Sequence, residues 1–220
     1  MIIKTKGIVL SYIKYGETSI ICKIFTETSS IQTFIINGIR KSKSKNIALY
    51  QPLNILDLVI YHKESSGIQR IKEAKLDVIY KSLHLDIKKI SICYYISEFL
   101  SKILKSSEIN EYQFNFIQDS LIVFDNIEGN YFNFHIQFFL KLTKYYGIDI
   151  DNPNQLCTTG LSSKLFSYID KCIISNYEVK IYSNNILRNK VLNLITEYYS
   201  KHMDISIKLK STTVLKEIFN

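Results

Sequence analysis

The apolar residues of this 220-residue chain change their spacing once, near residue 81. Before that point, short runs rich in Ile, Val, Phe and Tyr are separated by turn residues, and several of them alternate apolar with polar positions. Such runs predict β-strands with one face packed inward. Five strands in about 75 residues favour a small closed barrel of the OB-fold type. The five runs are GIVLSYI, TSIICKIFT, IQTFIING, NILDLVIYH and GIQRIKEAKL.

After residue 81 the apolar residues recur every three or four positions over longer segments, which is the spacing of amphipathic helices. Gly147 stands where a C-cap glycine would end the third helix, and Ser183-Asn184 suits the N-cap region of the last long one. The predicted fold class is α+β, with a five-stranded OB-fold barrel at 1–80 followed by an all-α domain at 81–220. The predicted helices lie within 90–104, 114–124, 131–147, 162–173 and 184–203.

Charge is distributed unevenly along the chain. Hydrophobic residues make up 46% and charged residues 22%, so the composition is that of a globular protein and not of a disordered one. Residues 1–81 hold 13 Lys and Arg against 6 Asp and Glu, whereas residues 82–220 hold 15 against 14. Almost all of the net charge of +8 therefore lies in the barrel segment, which favours a polyanionic partner such as nucleic acid or an anionic membrane surface.

The apolar runs are too short for a membrane span, and the N-terminus lacks the pattern of a signal peptide. A cytoplasmic, soluble protein is expected. The four cysteines form no CxxC pair, so we expect free thiols in a reducing compartment. They are Cys22, Cys93, Cys157 and Cys172.

Signatures of catalysis are missing from the sequence. It contains no GxGxxG, GxxxxGK[ST], HExxH or GxSxG motif, and its four histidines are isolated from acidic or cysteine partners. Asp149 and Asp151 flank a turn before Pro153, where carboxylates usually serve as turn acceptors. The sequence therefore predicts a binding protein without enzyme activity, cofactor or metal, and an enzyme of unrecognised type stays as an alternative.

A basic loop, NGIRKSKSK at 37–45, follows the third predicted strand. Its cations could contact successive phosphates, and aromatic side chains on the same barrel could stack on bases. The other interpretation is a loop that is charged only to stay solvated. The candidate nucleic-acid contacts are Arg40, Lys41, Lys43 and Lys45 in the loop, Lys6, Lys14 and Tyr15 on the first strand and its turn, and Arg70 and Lys72 on the last strand.

Several ordered segments resemble the family of the recombination mediator RecO. The segments TKGIVLSYIKYGETSIICKIFTE, INGIRKSKSK and LYQPLNILDLVIY resemble its N-terminal domain. FFLKLTKYYG (138–147) is similar to a helix of that family that ends in Gly, and HMDISIKLKSTTVLKEIF (202–219) resembles its C-terminal tail. The resemblance implies an N-terminal OB-fold that binds single- and double-stranded DNA, and a helical C-terminal domain.

The resemblance also implies a non-enzymatic role in recombinational repair. Its members anneal complementary strands, bind the acidic C-terminal tail of single-strand-binding protein, and act with RecR to load RecA on coated DNA. That role implies a cytoplasmic protein that associates with the nucleoid during repair. An OB-fold protein that binds RNA or acts in translation is the alternative, because a basic barrel does not distinguish the two nucleic acids.

Two further expectations concern the helical domain. Lys141 falls on the basic position of the family's helix, and we expect it to bind the acidic tail together with Lys144 and the apolar Phe138.

Many relatives carry a zinc site of two CxxC pairs after this helix, but here that region has only Cys157 and Cys172. Since tetrahedral zinc needs four ligands, we expect no zinc site.

Overall fold

The computed structural model describes residues 1–41, 46–63, 66–105, 109–157 and 160–219. Its N-terminal part is a closed barrel in which the strand order is β1-β2-β3-β5-β4. Strands β3 and β5 pair in parallel, and the other neighbours are antiparallel. The predicted five-stranded barrel is confirmed. The strands are β1 (Ile2–Tyr15), β2 (Ser19–Thr26), β3 (Ser30–Ile36), β4 (Ile55–Tyr61) and β5 (Gln69–Leu76).

Strand β1 pairs with two different neighbours. Its first half pairs with β4 from Ile2 to Ile8, its second half pairs with β2, and a bulge lies between Val9 and Ser11. Gly7 belongs to both ladders, and a Cβ atom there would come within 2.6 Å of the Ile24 side chain. The missing side chain therefore lets β1 approach the core while it closes the barrel.

Inward-facing side chains of the barrel form one apolar core. Its members are buried at alternate positions of the strands, as the sequence pattern predicts. Tyr50 adds to this core from a 3-10 turn, Asn46–Tyr50, whose carbonyls at Ala48 and Leu49 accept hydrogen bonds from Asn54 Nδ2. The core includes Val9, Ile20, Cys22, Ile24, Phe34, Leu56, Leu58 and Ile60.

Six α-helices follow the barrel in the described residues. Five coincide with the predicted segments, although the third is shorter because 3-10 turns replace its two ends. Gly147 adopts a left-handed backbone conformation (φ 68°) and ends the 3-10 turn that follows the third helix. The Asn184 side chain accepts a hydrogen bond from Leu187 N at the start of the fifth helix, so both predicted caps are confirmed. No helix in the described ranges is long and apolar enough to cross a membrane. The helices are α1 (Ile87–Ile103), α2 (Glu111–Asn126), α3 (Phe134–Leu142), α4 (Ser163–Ile174), α5 (Asn185–His202) and α6 (Ser211–Ile218).

The chain divides into two compact units. Unit 1 contains Met1–Tyr80 and Ile96–Gln118, and unit 2 contains Lys81–Tyr95 and Asp119–Asn220. Helices α1 and α2 are each shared between the units, so residues 96–118 group with the barrel. The boundary expected between residues 80 and 81 stays a prediction.

Helix α3 is the centre of unit 2 and is buried on nearly all sides. The ring of Phe134 stacks on Phe124 with centroids 4.1 Å apart, and Tyr199 Oη donates to the carbonyl of Phe139 at 2.9 Å. A helix so enclosed contributes to the core on every face. Helix α3 is therefore a core element and not an amphipathic surface helix.

A buried polar cluster joins the C-terminal end of α2 to the segment before α1. The carboxylate of Asp125 accepts backbone N–H bonds from Lys81, Ser82 and Leu83, each at 2.8 Å. Lys89 is only 2% exposed, and its Nζ donates to Ser82 Oγ and to three carbonyls around the α2 terminus, including Phe124 O at 2.9 Å. A buried charge of this kind is tolerated because its donors are all satisfied.

Replacement of Asp125 by Asn should destabilise the protein by about 2 kcal/mol at neutral pH, since bonds to a charged acceptor are stronger than bonds to an amide. Burial raises the pKa of Asp125, but the three N–H bonds outweigh burial and hold that pKa below its usual value. A carboxylate whose pKa is lowered by folding stabilises the folded state at pH values above its pKa in the unfolded chain. This stabilisation is lost as the pH falls. The difference between wild type and variant, measured by urea unfolding, should therefore shrink below about pH 4.

The control is Asp119→Asn, an exposed position on the same helix. It should change the free energy of unfolding by less than about 0.5 kcal/mol. Equal effects of the two substitutions would refute the role assigned to Asp125.

Candidate nucleic-acid interface

One row of outward-facing side chains crosses all five strands of the barrel. The register pairs Ile13 with Ile21, Ile21 with Ile35, Ile35 with Arg70, and Arg70 with Tyr61. We call these five residues the outer row. Four are apolar or aromatic, one is cationic and none is acidic.

The outer row is accessible to solvent. Ile13 is 64% exposed and Tyr61 is 44% exposed, and Ile60, the inward-pointing neighbour of Tyr61, is completely buried. Arg70 is also exposed, and Ile21 and Ile35 are half-buried. An apolar row with a cation in it is suited to contact a ligand that has both flat apolar faces and negative charge.

A second group of side chains surrounds the turn between β1 and β2. Arg40 Nη1 donates to the carbonyl of Gly16 at 3.0 Å, and Arg40 N donates to Thr18 O at 2.9 Å, so the start of the basic loop is attached to this turn. Tyr15, 52% exposed, and the exposed Lys14 end β1 at the same turn. We call Lys14, Tyr15, Arg40 and Lys41 the basic end.

Three of the predicted contacts, Lys14, Tyr15 and Arg40, thus lie around one turn. Lys41 follows Arg40 directly and is exposed. Lys43 and Lys45 lie outside the described residues. Arg70 belongs to the outer row instead. The prediction that these residues contact nucleic acid stays a prediction, but four of them lie on connected parts of one barrel surface.

Lys6 and Lys72 have different surroundings from the basic end. Lys6 Nζ forms an ion pair of 2.9 Å with Asp77, and this hydrogen bond raises the pKa of the Lys6 ammonium although burial opposes it. Lys72 pairs with Glu73 at 3.6 Å. Since each cation already has an acidic neighbour, both are weaker candidates for phosphate contact than the basic end.

Sequence reasoning missed Ile13, Ile21, Ile35 and Tyr61 as site residues. Each lies within a predicted strand. Alternation of apolar and polar residues in DLVIYH indicates that Tyr61 points outward, whereas no alternation surrounds Ile13, whose neighbours Tyr12 and Lys14 are also exposed. Their alignment in one row depends on the register of five strands and on the bulge in β1, which local sequence does not specify.

The three residues predicted to bind a partner peptide differ in accessibility. Phe138 is 0% exposed and belongs to the core of unit 2, so its prediction as a contact residue is wrong for the folded unit. Lys141 is half-buried and its Nζ donates to Ile173 O at 3.3 Å. Burial, followed by repulsion from Lys144, lowers the pKa of Lys141. Lys144 is exposed in the 3-10 turn after α3, where it lies 5.0 Å from the Tyr145 ring.

The cysteine chemistry of the helical unit does not fit a zinc ligand set. Cys172 is completely buried in α4, and burial raises the pKa of its thiol to about 12, which disfavours the thiolate that zinc requires. Within the described ranges, no group of three or more His, Cys, Asp or Glu side chains is arranged to hold a metal ion.

Comparison with known proteins covers both parts of the chain. Residues 1–79 match the family described as Recombination protein O N terminal, and residues 84–173 match Recombination protein O C terminal. The chain is 35% identical to the DNA repair protein RecO of Flavobacterium psychrophilum and 31% identical to that of Flavobacterium johnsoniae, and both alignments cover the whole of both chains. The chain belongs to the RecO family.

This membership confirms the resemblance seen in the sequence. The N-terminal RecO match spans the whole barrel, including the outer row and the basic end, and the C-terminal match begins before α1 and ends within α4. A DNA repair protein RecO of Bacteroides fragilis, 29% identical over both full chains, also matches. The relatives are named as DNA repair proteins, and none of these names includes a catalytic activity.

The absence of a zinc site stays a prediction, and metal analysis tests it. Protein purified without added zinc should contain well under one equivalent, and a chelator should leave the thermal transition unchanged, because no folding energy depends on the metal. The control is a Cys172→Ser variant, which should not change the metal content. Stoichiometric zinc that is lost only on unfolding would show that the expectation is wrong.

Proposed function

We propose that this RecO-family chain is a non-enzymatic DNA-binding protein of recombinational repair. In this role it anneals complementary strands and, together with RecR, helps to load RecA on DNA coated with single-strand-binding protein. The observation that supports the proposal best is the outer row, an exposed apolar and aromatic row with Arg70 in it, next to the basic end. This combination suits a strand whose backbone is anionic and whose bases have apolar faces.

The basic end and the outer row would act on different parts of the same strand. Cations of the basic end neutralise phosphates, a contribution that is independent of sequence and common to single and double strands. The outer row instead contacts bases, which are accessible only where the strand is unpaired. Two complementary strands held by their backbones could then exchange base contacts with the protein for pairing with each other.

The proposed partners beyond DNA are RecR, functionally RecA, and the acidic tail of single-strand-binding protein. For the tail we propose the region of Lys141 and Lys144, of which Lys144 is the more accessible. The proposed location is the cytoplasm, with nucleoid association during repair. Neither a membrane nor a cofactor takes part in the proposed role.

One prediction of the proposed function concerns the salt dependence of binding. If Arg40, Lys41, Lys43 and Lys45 each neutralise one phosphate, changing all four to Ala should reduce the magnitude of the single-strand salt slope by about 0.7 × 4, or roughly 2.8. Affinity for a 30-nucleotide strand would be measured by fluorescence anisotropy at several salt concentrations. The thermal transition should move little, since exposed charges contribute little to stability.

A matched control removes four exposed cations from unit 2: Lys164, Lys171, Lys190 and Lys201. This variant has the same net charge as the first, so overall electrostatics cannot distinguish the two. Equal salt slopes for the two variants would place the phosphate contacts elsewhere on the molecule.

An annealing assay tests the functional part of the proposal. Complementary strands are coated with single-strand-binding protein, and duplex formation is followed with the wild type and with the four-Ala loop variant. We expect the wild type to accelerate annealing and the variant to lose most of this effect. The same protein should prefer DNA to RNA of equal sequence; a preference for RNA without annealing would favour an RNA-binding role instead.

A further prediction addresses the acidic tail. Changing Lys141 and Lys144 to Glu should weaken binding of the tail peptide by about ten-fold or more, equivalent to roughly 1.4 kcal/mol, and leave binding to naked DNA nearly unchanged. Because Lys141 is half-buried, the exposed single variant Lys144→Glu separates the effect of charge from any loss of folding.

The control is the double variant Lys164→Glu and Lys171→Glu, at exposed positions of α4. It has the same charge change and should bind the peptide normally. Loss of DNA binding with retention of the peptide by the Lys141 and Lys144 variant would assign α3 to the DNA surface.

A further inference from the structure

A small cavity lies in unit 2 where α6 packs against α3 and α5. Its lining comes from His135 of α3, from Arg188 and Leu192 of α5, and from Leu215 of α6 with Phe219 directly after that helix. The volume of the cavity is about 10 Å³, which gives room for the centre of a single atom of about the size of a water molecule. A phosphate or a carboxylate group is too large for it.

Arg188 lines this cavity and is a buried cation without an anionic partner. It is 9% exposed; its Nη1 donates to Ser183 Oγ at 2.9 Å and to Ser183 O at 3.4 Å, and its Nη2 donates to Asn185 Oδ1, all of them neutral acceptors. The rings of Phe132 and Phe219 lie 6.0 and 5.5 Å from its Cζ, and such contacts compensate only part of the cost of burial. Among the described residues, no carboxylate forms an ion pair with it. Since an unpaired buried charge is costly, the surroundings of Arg188 favour an anion.

The other polar side chains of the cavity are able to donate hydrogen bonds. His135 is 2% exposed, and its buried Nδ1 has no hydrogen-bond partner in the part of the chain that the structure describes. Burial, followed by repulsion from Arg188, lowers the pKa of His135 to about 3, so the ring is neutral and one of its two nitrogens donates.

Asn189 and the exposed Lys216 complete the polar lining, which contains two cations and, as described, no acidic side chain. A buried water molecule needs acceptors as well as donors around it. An anion needs donors only. The size of the cavity therefore selects a single atom, and the charge of its lining selects an anion.

We infer that the cavity beneath α6 binds one monoatomic anion, chloride in ordinary buffers, between Arg188, His135 and Lys216. The guanidinium and the ammonium group supply the charge, and the imidazole N–H and the Asn189 amide complete the set of donors. Chloride is slightly larger than water, and the exposed side chain of Lys216 can move aside to admit it. This site is independent of the DNA-binding role proposed above.

The anion would hold the last helix on the body of unit 2. Within Ser211–Ile218, Leu215 alone is buried, and Asn185 Nδ2 donates to Phe219 O just beyond the helix. A helix with so little buried surface opens more readily than the core helices. Because Leu215, Lys216 and Phe219 form one wall of the cavity, opening of α6 would release the anion, and a bound anion would suppress the opening.

The direct test uses bromide, a monoatomic anion with strong anomalous scattering. Crystals of the full chain grown in sodium bromide should show an anomalous peak in the cavity, in contact with Arg188 and Lys216. A cavity without a peak, or peaks confined to the outer surface, would show that water fills it and would overturn the inference.

Hydrogen exchange tests the same site in solution, with chloride replacing glutamate at constant ionic strength, since glutamate is too large for the cavity. Exchange of the α6 amides should slow about ten-fold when chloride reaches about ten times its dissociation constant, because a ligand that binds only the closed state suppresses opening in proportion. The amides of β2, in unit 1, should not respond. Equal exchange in the two salts, even with a bromide peak in the crystal, would mean binding at crystal concentration only and would overturn the inference.

Three variants complete the test. Arg188→Gln should abolish the chloride effect, and the exposed Lys216→Gln, which keeps the test valid if the first variant does not fold, should weaken chloride binding by about three-fold, as expected for one exposed charge. Lys208→Gln, at an exposed position of the same C-terminal segment outside the cavity, is the matched control and should respond like the wild type. Identical chloride responses of Lys216→Gln and Lys208→Gln would refute the site.

Discussion

The double pairing of β1 is the constraint on which the rest of the barrel depends. This strand of 14 residues pairs with β4 through its first half and with β2 through its second, and the two pairings close the sheet into a barrel. Gly7 stands in both ladders, where a side chain would collide with Ile24 and Leu58. Closure satisfies the backbone groups that an open edge would leave unpaired, so the barrel needs no other element to protect it.

The same pairing separates two kinds of charged surface. The first half of β1 places Lys6 opposite Asp57 and within 2.9 Å of Asp77, which makes a mixed surface of paired charges. The second half, after the bulge, places Ile13 opposite Ile21 and thereby starts the outer row. Cations near this second surface have no acidic neighbour within the row. Lys6 therefore lies among acidic side chains that the outer row lacks.

In unit 2 the corresponding constraint is a buried core helix. Because α3 contributes to the core on nearly all faces, its aromatic residues stabilise the unit and are not accessible to a partner. Of the three residues predicted to bind a partner peptide, Lys144 is the exposed one, in the turn after the helix, while Lys141 Nζ donates to Ile173 O. The cluster of Asp125 and Lys89 holds the helix ends around this core, and its hydrogen bonds compensate for the burial of two charges.

The sequence by itself determined that a barrel is followed by helices, the five strands, most helix positions, and the caps at Gly147 and Asn184, because periodicity and capping are local properties. It also located the basic loop and the family resemblance. Tertiary structure decided which of the candidate residues share a surface. It placed Arg70 in a row with Ile13 and Tyr61, paired Lys6 and Lys72 with acids, and buried Phe138. The reason is physical: strand register, the bulge in β1 and helix packing arise from contacts between residues far apart in the chain, and no local pattern specifies them.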